Sequence, residues 1–145
     1  MPEVSKGLYD GVVRTPKQRV EEACAWIASD YPHKWLRLVN LCEREAANPE
    51  CKLISRDYLY SMALRQGLTI SECEEFRMDH NLWSVLSRYL LMFRPNLASV
   101  IHPRYMPETI DSVDLEAMWR ECVRPQTFFL ADSWREAELA VRRVA

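Results

Sequence analysis

Two sets of side chains in this sequence have types and spacings suited to binding chemistry. Arg77, Asn81, Ser84 and Arg88 recur at i, i+4, i+7 and i+11, which places them on one face of any helix that carries all four. Guanidinium groups hold phosphates and amides read base edges, so this face is a candidate for nucleic-acid binding. The formal charge over 77–104 is +3, from Arg77, Arg88, Arg94 and Arg104 against Asp79. The second set is acidic: Glu108, Asp111, Asp114, Glu116 and Glu121 against Arg120 give −4 over 105–121. Within it, Asp111, Asp114 and Glu116 are candidates for complementary charges towards a basic groove on a protein partner. The same carboxylates suit the start of a helix, where they face its positive end. Trp26 and Trp134 fall at the margins of apolar stripes and are candidate interface anchors, since Trp, Tyr and Arg dominate binding energy at interfaces.

Catalytic and metal chemistry find less support. Cys24 and His33 are close enough along the chain to meet as nucleophile and base, but no third group orients the pair and Cys24 lies on an apolar stripe beside Glu21 and Glu22. The carboxylate pairs Glu21-Glu22 and Glu74-Glu75 are adjacent in helices and point apart. No phosphate-binding loop, dinucleotide fingerprint, zinc-protease helix or nucleophile elbow is present, and with 3 Gly in all there is little material for one. His33, His80 and His102 have no ligand spacing among themselves or with the cysteines, so neither a metal nor a cofactor is expected. Cys24, Cys42, Cys51, Cys73 and Cys122 are odd in number and widely spaced, unlike a disulfide framework or a paired zinc motif.

The elements that must position these groups are helical. A chain of 145 residues that is 48% hydrophobic has the material for one core and is not a disordered polypeptide. Its formal net charge of −2 excludes a globally cationic binder while leaving room for a local basic face. Residues 1–14 lack periodicity and read as a flexible arm, and 15–145 as a single α-helical domain. Thr15-Pro16-Lys17-Gln18 is a helix start, followed by the stripe Val20, Ala23, Cys24 and Ile27. Ser29 to Pro32 stops that helix, and Trp35, Leu38, Val39 and Cys42 mark the next, expected to lie antiparallel to the first. Asn48-Pro49 ends it.

A third helix is expected over about 55–66, with Gly67 as a left-handed cap and Ser71-Glu72-Cys73-Glu74 as a capping box for a short fourth. Leu59 to Met78 has a helix-turn-helix outline, with Ala63 at the crossing and Gly67 in the turn. Glu72, Glu74 and Glu75 on its second helix oppose docking to phosphates, which favours a plain αα-corner. The most hydrophobic helix, about 79–94, must be nearly surrounded by the others. Leu97 to Ile101 makes one or two turns, Asp111 or Ser112 caps a helix through Cys122, and a last helix opens at Ser133. The fold class is therefore all-α, with seven to eight short helices around the 79–94 helix.

The leading expectation is a non-catalytic, cytoplasmic helical binding protein that regulates or inhibits a macromolecular partner by protein–protein docking, a profile that a small accessory protein of a phage or mobile element would fit. The alternative is a nucleic-acid-binding regulator using the corner at 59–78 or the basic face at 77–88. No start signal for export and no membrane-spanning apolar run is seen.

Overall fold

Helix starts in this chain are built from side chains that take up the amides a first turn leaves unpaired. In a computed structural model, which describes residues 14–123, the Thr15 side chain accepts from the Gln18 amide while the Gln18 side chain accepts from the Thr15 amide, opening α1 (Pro16–Ala28). A turn containing Asp30 at φ 57° and a cis Tyr31–Pro32 peptide leads into α2 (His33–Ala46). A short 3₁₀ turn at Arg56–Tyr58 runs into α3 (Leu59–Arg65), and Gly67, at φ 97°, takes the left-handed conformation that ends it. The capping box of α4 (Ile70–Glu74) is two residues earlier than expected: Thr69, not Ser71, is the cap, and it exchanges hydrogen bonds with Glu72. Asp79 caps α5 (His80–Phe93) through the Leu82 amide at 2.8 Å. After 3₁₀ turns at Pro95–Ser99 and Ile110–Ser112, Asp114 caps α6 (Leu115–Met118), which continues as a π-helical turn, Trp119–Val123.

The chain is thus all-α among the described residues, with no strand there, and none of its described helices is long and apolar enough to cross a membrane. The arm at 1–14 lies outside the described residues except for Arg14, which pairs with Glu22. The last expected helix, with Trp134, lies outside them as well.

Every residue of the two apolar stripes on α1 and α2 is buried. The main partners of α1 are α5, the 119–123 turn and the 110–112 turn, with α2 a lesser one. At the centre stands Trp119, fully enclosed, with its ring centroid 4.8 Å from Phe93, 5.2 Å from Tyr89, 5.6 Å from Trp35 and 6.2 Å from Tyr31. Such edge and tilted contacts add to the burial of large apolar area. The α5 helix is buried from Val85 to Leu90 on every side, including its polar positions Ser87 and Arg88.

Ion pairs tie the outer faces together. Arg37 of α2 forks onto Glu75 beyond α4 at 2.8 and 2.9 Å, Arg65 of α3 reaches buried Glu45 of α2 at 3.2 Å, and Arg94 meets Glu43 at 2.6 Å. Trp119→Ala is expected to cost about 4 kcal/mol by cavity formation, read as a fall in the urea midpoint. A loss below about 1 kcal/mol, the ordinary size for a peripheral substitution, would show that the aromatic cluster is not the core of the fold.

Candidate functional site

A guanidinium in the interior needs an acceptor for every N–H it carries. Arg88, 7% exposed, has them all: Nε and one terminal nitrogen fork onto Asp111 at 2.8 and 3.0 Å, and the same terminal nitrogen also reaches the Arg104 carbonyl. The other terminal nitrogen donates to the Ser84 carbonyl at 2.7 Å and the Ser84 hydroxyl at 2.8 Å. Asp111 also accepts from the Met106 amide at 2.6 Å. The segment 104–111 is in this way folded down onto α5. The hydrogen bond from Arg88, with that from Met106 and the Arg88 charge, holds the Asp111 carboxyl below the ordinary aspartate range against a smaller opposing effect of burial.

Two expected binding surfaces are taken apart by this arrangement. The face Arg77-Asn81-Ser84-Arg88 does not assemble: Arg77 precedes α5, paired with Glu74 at 2.8 Å and lying 3.9 Å from the Tyr60 ring centroid, while Arg88 is buried under the 104–111 segment. Only Asn81 and Ser84 share a surface. On the acidic side, Asp111 is committed to Arg88 instead of capping a helix, Asp114 caps α6 through the Ala117 amide at 3.1 Å, and Glu116 pairs with Arg120. These carboxylates serve the fold because each sits where an N–H or guanidinium needs an acceptor. Trp26 is half-buried, 6.1 Å from Phe76, with the Lys34 ammonium 4.3 Å from its ring centroid. At the helical corner, Glu72 completes the capping box of α4, Glu74 pairs with Arg77 and Glu75 with Arg37, and α4 itself is 5 residues long.

The 104–111 segment instead forms one wall of a groove of about 440 Å³. Leu53, Ile54 and Ser55 form another wall, clasped to the chain by the Ile54 amide donating to the Val100 carbonyl at 2.8 Å. The floor is the amino-terminal half of α5, with His80, Asn81, Trp83, Ser84 and Ser87, and Arg19 enters from α1. Ile101, His102, Pro103, Arg104, Met106 and Ile110 complete the lining, which holds no carboxylate. Most described arginines are ion-paired; Arg19, Arg44 and Arg104 have no carboxylate within ion-pair distance among the described residues, and two of these three line the groove. The Nε of Arg19 is enclosed without a hydrogen-bond partner among the described residues. His80 Nε2 lies 3.1 Å from an Arg56 nitrogen that can only donate, so Nδ1 carries the imidazole proton. No family model, curated protein or solved structure matches the chain.

Apart from Asn81 and Ser84, none of these lining residues is part of the sequence-derived sites. They come from four separate stretches of chain, and Trp83 in particular reads as core from its place in an apolar run. The one local sign is Arg104 between Pro103 and Pro107, a cation held in a stretch unable to continue a helix.

The pairing of Cys24 with His33, which the sequence argues against, is not formed. Cys24 is buried beside the Tyr89 hydroxyl at 3.5 Å, and burial pushes its thiol up to about 12, whereas the exposed His33 ring faces Asp30. Burial also raises Cys42 and Cys73. Alkylation by iodoacetamide at neutral pH should therefore mark Cys51 or Cys122 before any of these three, as peptide mass mapping would read. Early labelling of Cys24 would contradict the burial described.

Breaking the buried pair by Arg88→Ala should cost about 3 kcal/mol, the low end for such a loss because solvent reaches part of the Asp111 carboxylate. Arg77→Ala should leave the urea midpoint unchanged. Because the folded state holds the Asp111 carboxyl low, its contribution is present above the unfolded aspartate pKa and disappears as pH falls through the folded one. Asp111→Asn should accordingly flatten the acid limb of the stability profile, and an unaltered acid limb would contradict the pairing.

Proposed function

We propose that the chain is a non-catalytic helical binding protein that regulates a macromolecular partner by engaging an anionic part of it in the groove. The observation that carries this reading is the meeting of two unpaired arginines in a concavity without a carboxylate. Guanidinium groups left without an internal counter-charge are the residues of choice for carboxylate and phosphate recognition. The volume falls in the range of about 300–1,000 Å³ usual for ligand sites. The protein–protein docking expected from the sequence is retained in this form, with the partner's acidic group entering the protein's groove rather than the reverse. Five free thiols, including half-buried Cys51 and Cys122, suit a reducing compartment such as the cytoplasm.

The α3–α4 corner has no reading role in this proposal. Its acidic side chains are spent on a cap and two ion pairs, and a second helix of 5 residues presents little surface to a DNA groove.

Fluorescence anisotropy of a labelled single-stranded oligonucleotide and a labelled oligoglutamate peptide, at low and near-physiological salt, tests the reading. At least one probe should bind with an affinity that weakens as salt rises, and Arg19→Ala with Arg104→Ala should lower that affinity about tenfold or more. Arg44→Ala, which removes an unpaired arginine outside the groove lining, should leave it unchanged. Absence of binding by either probe, or equal loss in the Arg44 variant, would sink the assignment.

A further inference from the structure

We infer that the groove recognises a nucleoside phosphate unit, with the base against Trp83 and the phosphate on Arg19 and Arg104; this rests on the anion-binding reading above and names its ligand class. A bare anion needs only cations and N–H donors. This groove adds a substantial apolar lining, with Leu53, Ile54, Ile101, Met106 and Ile110 beside the half-buried Trp83. Its occupant therefore has an apolar body as well as a charge.

A fatty chain would meet that apolar lining but has no use for the polar groups on the floor. Asn81 offers an amide with both donor and acceptor, Ser84 offers a hydroxyl, and His80 keeps an N–H donor at Nδ1 because Arg56 donates to its other nitrogen, whereas the buried Ser87 hydroxyl is spent on the Ser84 carbonyl. Of the Ser84 groups, the carbonyl and hydroxyl oxygens already accept from Arg88, which leaves the hydroxyl its O–H to donate. A flat, apolar-faced ring with hydrogen-bonding edges and an attached dianion or monoanion matches the whole set. Stacking on an aromatic face combined with cationic backbone contacts is the way sequence-tolerant sites hold single-stranded nucleic acid. The unit can be a free nucleotide or one residue of a strand, since both present the same base and phosphate.

The experiment compares three probes on the unmodified protein: labelled oligothymidylate of 12 nucleotides (on the order of the site sizes of single-strand binders), an abasic deoxyribose-phosphate strand of the same length and charge, and thymidine 5′-monophosphate as competitor. Oligothymidylate should bind about tenfold tighter than the abasic strand, the effect of one stacked base. Trp83→Leu should remove that difference while leaving the abasic affinity in place, and Trp83→Phe should restore part of it. Competition by the mononucleotide would assign the unit to a free nucleotide, and strand binding without competition would assign it to a strand; both support the proposal. Equal affinity for the two strands overturns base recognition while sparing the anion reading. Failure of both strands to bind at low salt overturns this proposal, and an oligoglutamate that still binds through Arg19 and Arg104 would then keep the broader one.

Discussion

Removing a guanidinium from water is costly unless its donors and its charge are both met, and the way Arg88 meets them organises one side of this protein. Its acceptors lie on Ser84, one turn earlier in α5, and at two points of the segment that follows the 95–99 turn. Satisfying one buried side chain therefore fixes the path of 104–111. That path covers Arg88 and leaves the amino-terminal half of α5 to line a concavity. The 110–112 turn is held against α1 by the same closure, so the wall of the groove and part of the core share a single support.

Arginine is used in this chain largely as an internal connector. Arg37, Arg65, Arg88 and Arg94 join elements that sequence separates, each onto a carboxylate. Planar forks on carboxylates give geometry as well as attraction, and they consume charges of both signs that would otherwise decorate the surface. A net charge near balance consequently hides where the uncompensated groups lie. Arg19 and Arg104 stand out only after the pairing is traced, and no count of charged residues along the sequence separates them from the rest.

Much of the fold was legible in the sequence because helical periodicity and capping are local. The stripes Val20–Ile27 and Trp35–Cys42, the Thr15 cap, the break at Asn48-Pro49 and the glycine at 67 are all settled within a few residues of chain. The misplaced cap at Ser71 arose from competition between two adequate cappers, and Thr69 prevails by pairing reciprocally with Glu72. The candidate site was scarcely legible. A period of 3.6 residues put Arg77 and Arg88 on one face, but α5 starts after Arg77, and a loop distant in sequence covers Arg88. Likewise Asp111 has the composition of a surface acid, and only its long-range partner reveals it as part of the interior.

The burial of α5 changes along its length, and this divides the groove mechanically. Its floor runs into a stretch of α5, Val85–Leu90, that is enclosed on all sides, so the amides there open only when the core does. Between the buried Ile101 and Ile110 its rim has few backbone hydrogen bonds to other elements, and residues 102–109 are held largely through the Arg88–Asp111 pairing, a closure that can come undone while both isoleucines stay in the core. Shape at the floor is thus set by global stability and width at the rim by a sub-global equilibrium, so one concavity combines a fixed template with an adjustable edge.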